Sequence, residues 1–120
     1  MGTLLFERGI AYERCFDELN LVNPGLIESV HREYLAAGAE LVETNTFGAS
    51  PLRLESHGLG ARARLIARQG VKIARNAREV AGTAAFVGGS VGPLGKHLKP
   101  FGTVSVAEAE QAFREQAEGL

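Results

Sequence analysis

Three polar side chains follow one another in Thr44-Asn45-Thr46, directly after Leu41-Val42-Glu43 and before the aromatic Phe47. Buried hydroxyls and amides cost free energy unless they find partners, so a core strand avoids such a run. At the mouth of a parallel sheet the same groups can face a ligand. Thr and Asn suit the ammonium and carboxylate of an amino acid by hydrogen bonding. The competing reading is an Asx or ST turn that only ends the strand. A second candidate is Gly88-Gly89-Ser90-Val91-Gly92-Pro93. Its glycines let backbone amides approach a ligand, and Ser90 adds a hydroxyl. Tight packing of a strand on a helix explains the same glycines equally well.

Other chemistries are poorly served. A catalytic zinc needs three protein ligands and an open position. Cys15, His31, His57 and His97 lie far apart, without paired spacing. They read as three surface histidines and one packed thiol. No Ser/His/Asp triad can be assigned, and neither Glu40 nor Glu43 reads as a general base. Gly95-Lys96 could end a phosphate loop, but His97 follows where Ser or Thr is needed. No glycines stand at the dinucleotide-binding spacing. A lone cysteine permits no internal disulfide, which fits a reducing compartment. The net charge of −1 gives no global case for nucleic acid or an anionic membrane. The basic residues between Arg53 and Arg78 read as the solvated face of a helix. No run approaches the roughly 18 apolar residues of a spanning helix, and the start carries no basic leader. A cytoplasmic protein without nucleic-acid or membrane partners is expected.

The elements that must position these groups are legible. Residues 4–8 read as a short helix stopped at Gly9, and residues 11–22 as irregular. Asn23-Pro24 opens a helix with Asn at the cap. Its apolar stripe is Leu26, Ile27, Val30, Tyr34 and Leu35, and Gly38 closes it. Residues 40–46 predict a strand. Ser50-Pro51 opens a short helix to residue 57. A long helix is expected over 61–80, with Ile66, Ile73, Ala77 and Val80 inward. Arg64, Arg68, Lys72 and Arg75 lie on its other side. Residues 84–91 predict a buried strand. Ser105 with Glu108 forms a capping box ahead of a stripe of Val106, Ala109, Phe113, Ala117 and Leu120. Helices alternating with short strands imply parallel β/α units joined by right-handed crossovers. An open doubly wound sheet and part of a (β/α)8 barrel both fit. Both place functional loops at the carboxyl ends of the strands. No strand precedes the first helix and none follows the last, so the pattern reads as cut within a repeating unit at both ends.

The motifs are identifiable at this point. Met1-Gly2-Thr3-Leu4-Leu5 with Gly9, Cys15-Phe16-Asp17-Glu18-Leu19-Asn20 with Asn23-Pro24, and Gly89-Ser90-Val91-Gly92-Pro93 resemble segments of the homocysteine S-methyltransferase family. The run from His31 to Glu40 into Glu43-Thr44-Asn45-Thr46-Phe47-Gly48-Ala49 is the most specific match. The wording around Cys15 looks closest to bacterial members fused to a methylenetetrahydrofolate reductase domain. The resemblance covers residues 1–120 as part of a homocysteine-binding domain. It implies the start of a (β/α)8 TIM barrel, about three parallel β/α units. In the full-length family, zinc binds homocysteine as a thiolate that attacks the methyl group of a donor. The donor is a folate acting through cobalamin, a sulfonium compound or betaine. Carried over by residue, the family's substrate-binding positions here are Thr44, Asn45, Thr46, Phe47 and Ser90, with the backbone of Met1 and Gly2. The family's zinc cysteines lie on later strands, and Cys15 does not match them, so no metal ligand and no catalytic residue is assigned. The resemblance therefore implies a fragment inactive alone, whose partners are homocysteine and a methyl donor. Two other readings stay open. One is a small α/β module that binds an amino acid or nucleotide without chemistry. The other is an assembly protein that self-associates through open sheet edges.

Overall fold

The computed structural model describes residues 1–120. Helix α1 spans Gly2–Glu7. A 3-10 turn at Phe16–Glu18 leads into α2, Leu19–Val22, where the sequence pattern suggested only irregular chain. Helix α3, Pro24–Ala36, begins as anticipated: the Asn23 side chain accepts from the Leu26 amide. Strand β1 is Leu41–Glu43 and α4 is Pro51–Glu55, capped by the Ser50 hydroxyl. A 3-10 turn at Gly60–Arg62 enters α5, Ala63–Ala81, which stops at Gly82. Strand β2, Phe86–Gly88, and α6, Val106–Gly119, complete the order, with Ser105 accepting from the Glu108 amide.

The two strands pair in parallel, Val42 opposite Val87, so α4 and α5 form the crossover between them. This is the parallel β/α arrangement expected from the sequence. Both strands are shorter than expected. Alternation along a strand sends successive side chains to opposite faces. On one face Val42 packs with Leu35, Ala77, Ala85 and Val87 against α3 and α5. On the other, Leu41 and Phe86 remain 53% and 73% exposed. The second strand is therefore not buried as its composition suggested. Its helix-facing side is covered and its opposite side is open.

Three apolar details also differ from the sequence reading. Tyr34 and Val80 are exposed, although the helical stripes placed them inward. The buried face of α6 is Ala109, Ala112, Gln116 and Gly119, while Val106 and Phe113 point outward. The cause is the close approach of α5. A Cβ at Gly119 would stand 2.8 Å from both Ala67 Cβ and the Arg64 carbonyl oxygen. Small residues win that face because larger ones cannot enter it. No helix is long and apolar enough to cross a membrane.

Candidate functional site

One cleft of about 940 Å³ opens at the carboxyl ends of β1 and β2. Met1, Gly2, Thr44, Asn45, Thr46, Phe47 and Ser90 all line it. The seven residues singled out from the sequence thus converge, although 89 positions separate the first from the last (90 − 1).

The polar triplet is held by its own neighbours. Thr46 donates its hydroxyl proton to the Ser90 carbonyl at 2.7 Å. Its single proton is then spent, so the 2.7 Å contact between Thr44 Oγ1 and Thr46 Oγ1 must have Thr44 as donor. Thr44 Oγ1 in turn accepts from the Ser90 amide at 3.1 Å. The three residues close a ring of fixed polarity that ties β1 to β2 at the mouth. Thr44 is left with acceptor capacity only, which suits an ammonium and not a carboxylate. Asn45 gives its amide protons to the Phe16 carbonyl and to Asn20 Oδ1. Thr46 is fully buried and its own carbonyl accepts from Gln116 Nε2 at 2.7 Å. Asn45 and Thr46 therefore shape the mouth, and of the run it is Phe47, 55% exposed, that meets solvent.

Two close approaches set the mouth's width. A Cβ at Gly70 of α5 would fall 2.6 Å from Thr46 Cγ2 and 2.9 Å from Asn20 Nδ2. A Cβ at Gly92 would fall 2.6 Å from the Phe47 carbonyl oxygen, which accepts from the Gly92 amide at 3.0 Å. Gly92 of the second motif thus allows a close approach to Phe47. Ser90 contributes its backbone to the hydroxyl ring.

Four residues that sequence reasoning did not assign to the site also matter. Asp17 accepts from the Gly48 amide at 3.1 Å and pins the turn after Phe47. Burial pushes its carboxyl above the ordinary range, and the Gly48 bond partly opposes this. Arg53 lies over Phe47, its guanidinium carbon 5.8 Å from the ring centre. Asn20, fully buried, bridges the turn after β1 to α5. His31 lines the cleft and is 1% exposed, with Nε2 lacking any hydrogen-bond partner. The expectation of a surface histidine is corrected here: tertiary packing buries that position of α3. Burial first, and then the positive charge of the chain's amino terminus, lower its pKa to about 4. His57 and His97 are exposed, as expected.

Residues able to hold a metal do not gather. No three His, Cys, Asp or Glu side chains come together. Cys15 packs as a thiol among Ala49, Leu54, Ala63 and Ile66, and burial raises its pKa. The residues of this chain do not fit a zinc centre.

Parallel β/α units with a polar mouth at the strand ends define a piece of an α/β scaffold of the kind that barrels and doubly wound sheets share. Comparison with known proteins makes this specific. The family model for homocysteine S-methyltransferase matches residues 1–120, and the chain belongs to that family. Methionine synthase of Mycobacterium tuberculosis is 36% identical over 110 residues, 90% of this chain and 9% of that protein. Methionine synthase of Mycobacterium leprae is 35% identical over the same shares. The metallated form of the homocysteine methyltransferase MmuM from Escherichia coli superposes with a TM-score of 0.81 at 31% identity. That match covers all of this chain and 47% of MmuM. The chain thus spans about half of that barrel and a tenth of the methionine synthases.

Proposed function

We propose that residues 1–120 are the N-terminal part of a homocysteine S-methyltransferase domain and form one wall of its substrate mouth. The observation that carries this is the convergence of the family-matched residues on one cleft at the carboxyl ends of β1 and β2. In the complete reaction an S–CH3 bond forms on homocysteine sulfur as the donor–CH3 bond breaks. The electron pair of the broken bond stays on the donor, and the product is methionine.

Each wall residue has a role in this reading. The Thr44 oxygen accepts from the substrate ammonium. The backbone of Met1 and Gly2, which lines the cleft, cradles the substrate carboxylate. Phe47 covers the path of the donor methyl. Thr46, Asn45 and Ser90 hold these groups at fixed spacing, which is where positioning contributes to rate. Zinc belongs to the same reading. It would be held by segments beyond this chain, as would the donor, a folate or another methylated compound. The setting is cytoplasmic.

Metal content tests the division of labour. Purified residues 1–120, dialysed after zinc loading, are expected to hold no stoichiometric zinc by elemental analysis. One tightly bound zinc per chain with thiolate ligation would overturn the proposal.

A further inference from the structure

We infer that Arg53 is a specificity-determining residue that turns cationic methyl donors away from Phe47, so that the mouth takes its methyl group from a donor whose methyl-bearing end is uncharged. This rests on the reading that Phe47 stands at the donor side of the mouth. Phe47 is the half-exposed aromatic ring beside the hydroxyl ring of Thr44 and Thr46. An open aromatic face attracts sulfonium and quaternary ammonium groups, because the ring quadrupole is negative above its plane. Here a guanidinium already lies within the cation–π range of that ring.

Arg53 is held in place from several sides. Its Nη1 donates to the Pro93 carbonyl at 3.4 Å. Its stem packs beside Gly95, where a Cβ would stand 3.4 Å from Arg53 Cγ. Asp17, pinned to the Gly48 amide, attracts it. Gly92 crowds the same ring, since a Cβ there would lie 2.8 Å from two of its carbons. The ring is therefore fixed between a backbone and a cation. A second positive charge arriving at Phe47 loses the quadrupole's attraction and meets like-charge repulsion at a few ångströms. An uncharged methyl group meets neither penalty.

Choline and dimethylbutanol, its uncharged carbon isostere, separate charge from shape. Each is titrated into residues 1–120 carrying isotope-labelled phenylalanine, with the Phe47 ring signals followed by NMR. In the wild-type chain dimethylbutanol is expected to bind at Phe47 about tenfold more tightly than choline. Arg53→Gln, which keeps a hydrogen-bond donor for Pro93, reverses that order. Arg53→Lys, which keeps the charge, leaves it as in wild type. The proposal is overturned if choline moves the wild-type ring at least as strongly as its isostere. It is equally overturned if Arg53→Gln leaves the ranking unchanged, including the case in which neither compound moves the ring. The wild-type comparison needs no variant, so it decides the matter even where Arg53→Gln fails to fold. The ranking reads only the Phe47–Arg53 pair. Failure of the methyltransferase reading would show instead in metal content and homocysteine binding.

Discussion

Replacing Asn20 with alanine is expected to cost about 2 kcal/mol of stability. Asn20 is fully buried. Its amide donates to the Asn45 carbonyl at 2.8 Å and to the Ile66 carbonyl at 3.1 Å, and its oxygen accepts from Asn45 Nδ2 at 3.0 Å. Truncation leaves the buried Asn45 carbonyl and one Asn45 amide proton without partners, each costing about 1 kcal/mol or more, while the Ile66 carbonyl loses a second donor but keeps its helical one. A water cannot easily substitute, because the Gly70 α-carbon and Thr46 crowd the same point. The loss would appear as a lower urea midpoint at unchanged slope. It would also loosen the turn that carries Phe47, because Asn45 loses one of its two anchors. A loss under about 0.5 kcal/mol would mean that this bridge does not hold the turn after β1 to α5.

Acid is expected to destabilise the chain through His31, by about 3 kcal/mol between neutrality and pH 4. The sign follows from the direction of the shift. The folded pKa of about 4 lies below the ordinary 6.5. Above 6.5 both states are neutral at this residue and stability is complete. As pH falls through that value the unfolded chain takes up a proton that the folded chain refuses until about 4, and stability is lost across that window. Each pKa unit corresponds to about 1.4 kcal/mol. Asp17 works in the opposite sense, since its raised pKa favours the protonated, folded form as pH drops. The comparison is therefore made against His31→Gln over the same pH series. The variant should lose less stability than wild type between pH 6.5 and 4. Parallel curves would contradict a buried neutral imidazole.

Local chemistry explains what was legible in the residues. Asn23-Pro24, Ser50-Pro51 and Ser105 with Glu108 announce helix starts because a cap and its amide lie within three positions. Thr44-Asn45-Thr46 stood out because a polar triplet interrupts an apolar strand. Partners far along the chain were not legible. Asp17 and Asn20 lie in a stretch without periodicity and take their roles from Gly48 and Asn45, 31 and 25 positions away. His31 sits beside Arg32 and Glu33 and looked solvated, yet tertiary packing buries it. Arg53 read as one more cation of a basic stretch, and only the fold sets it over Phe47. On α6 the expected stripe kept Ala109 but misplaced Val106 and Phe113, since the close approach of α5 at Gly119 favours small residues on the buried face.

Homocysteine binding to a completed barrel tests the central claim most directly. Residues 1–120 are joined to the part of the MmuM barrel that the superposition leaves uncovered, and the chimaera is loaded with zinc. Homocysteine is then titrated calorimetrically into the chimaera and into the MmuM part alone. The account predicts one equivalent bound by the chimaera and none by the MmuM part, because the wall made by Thr44, Phe47 and the first turn of α1 is needed. A folded, zinc-bearing chimaera that takes up no homocysteine would contradict it.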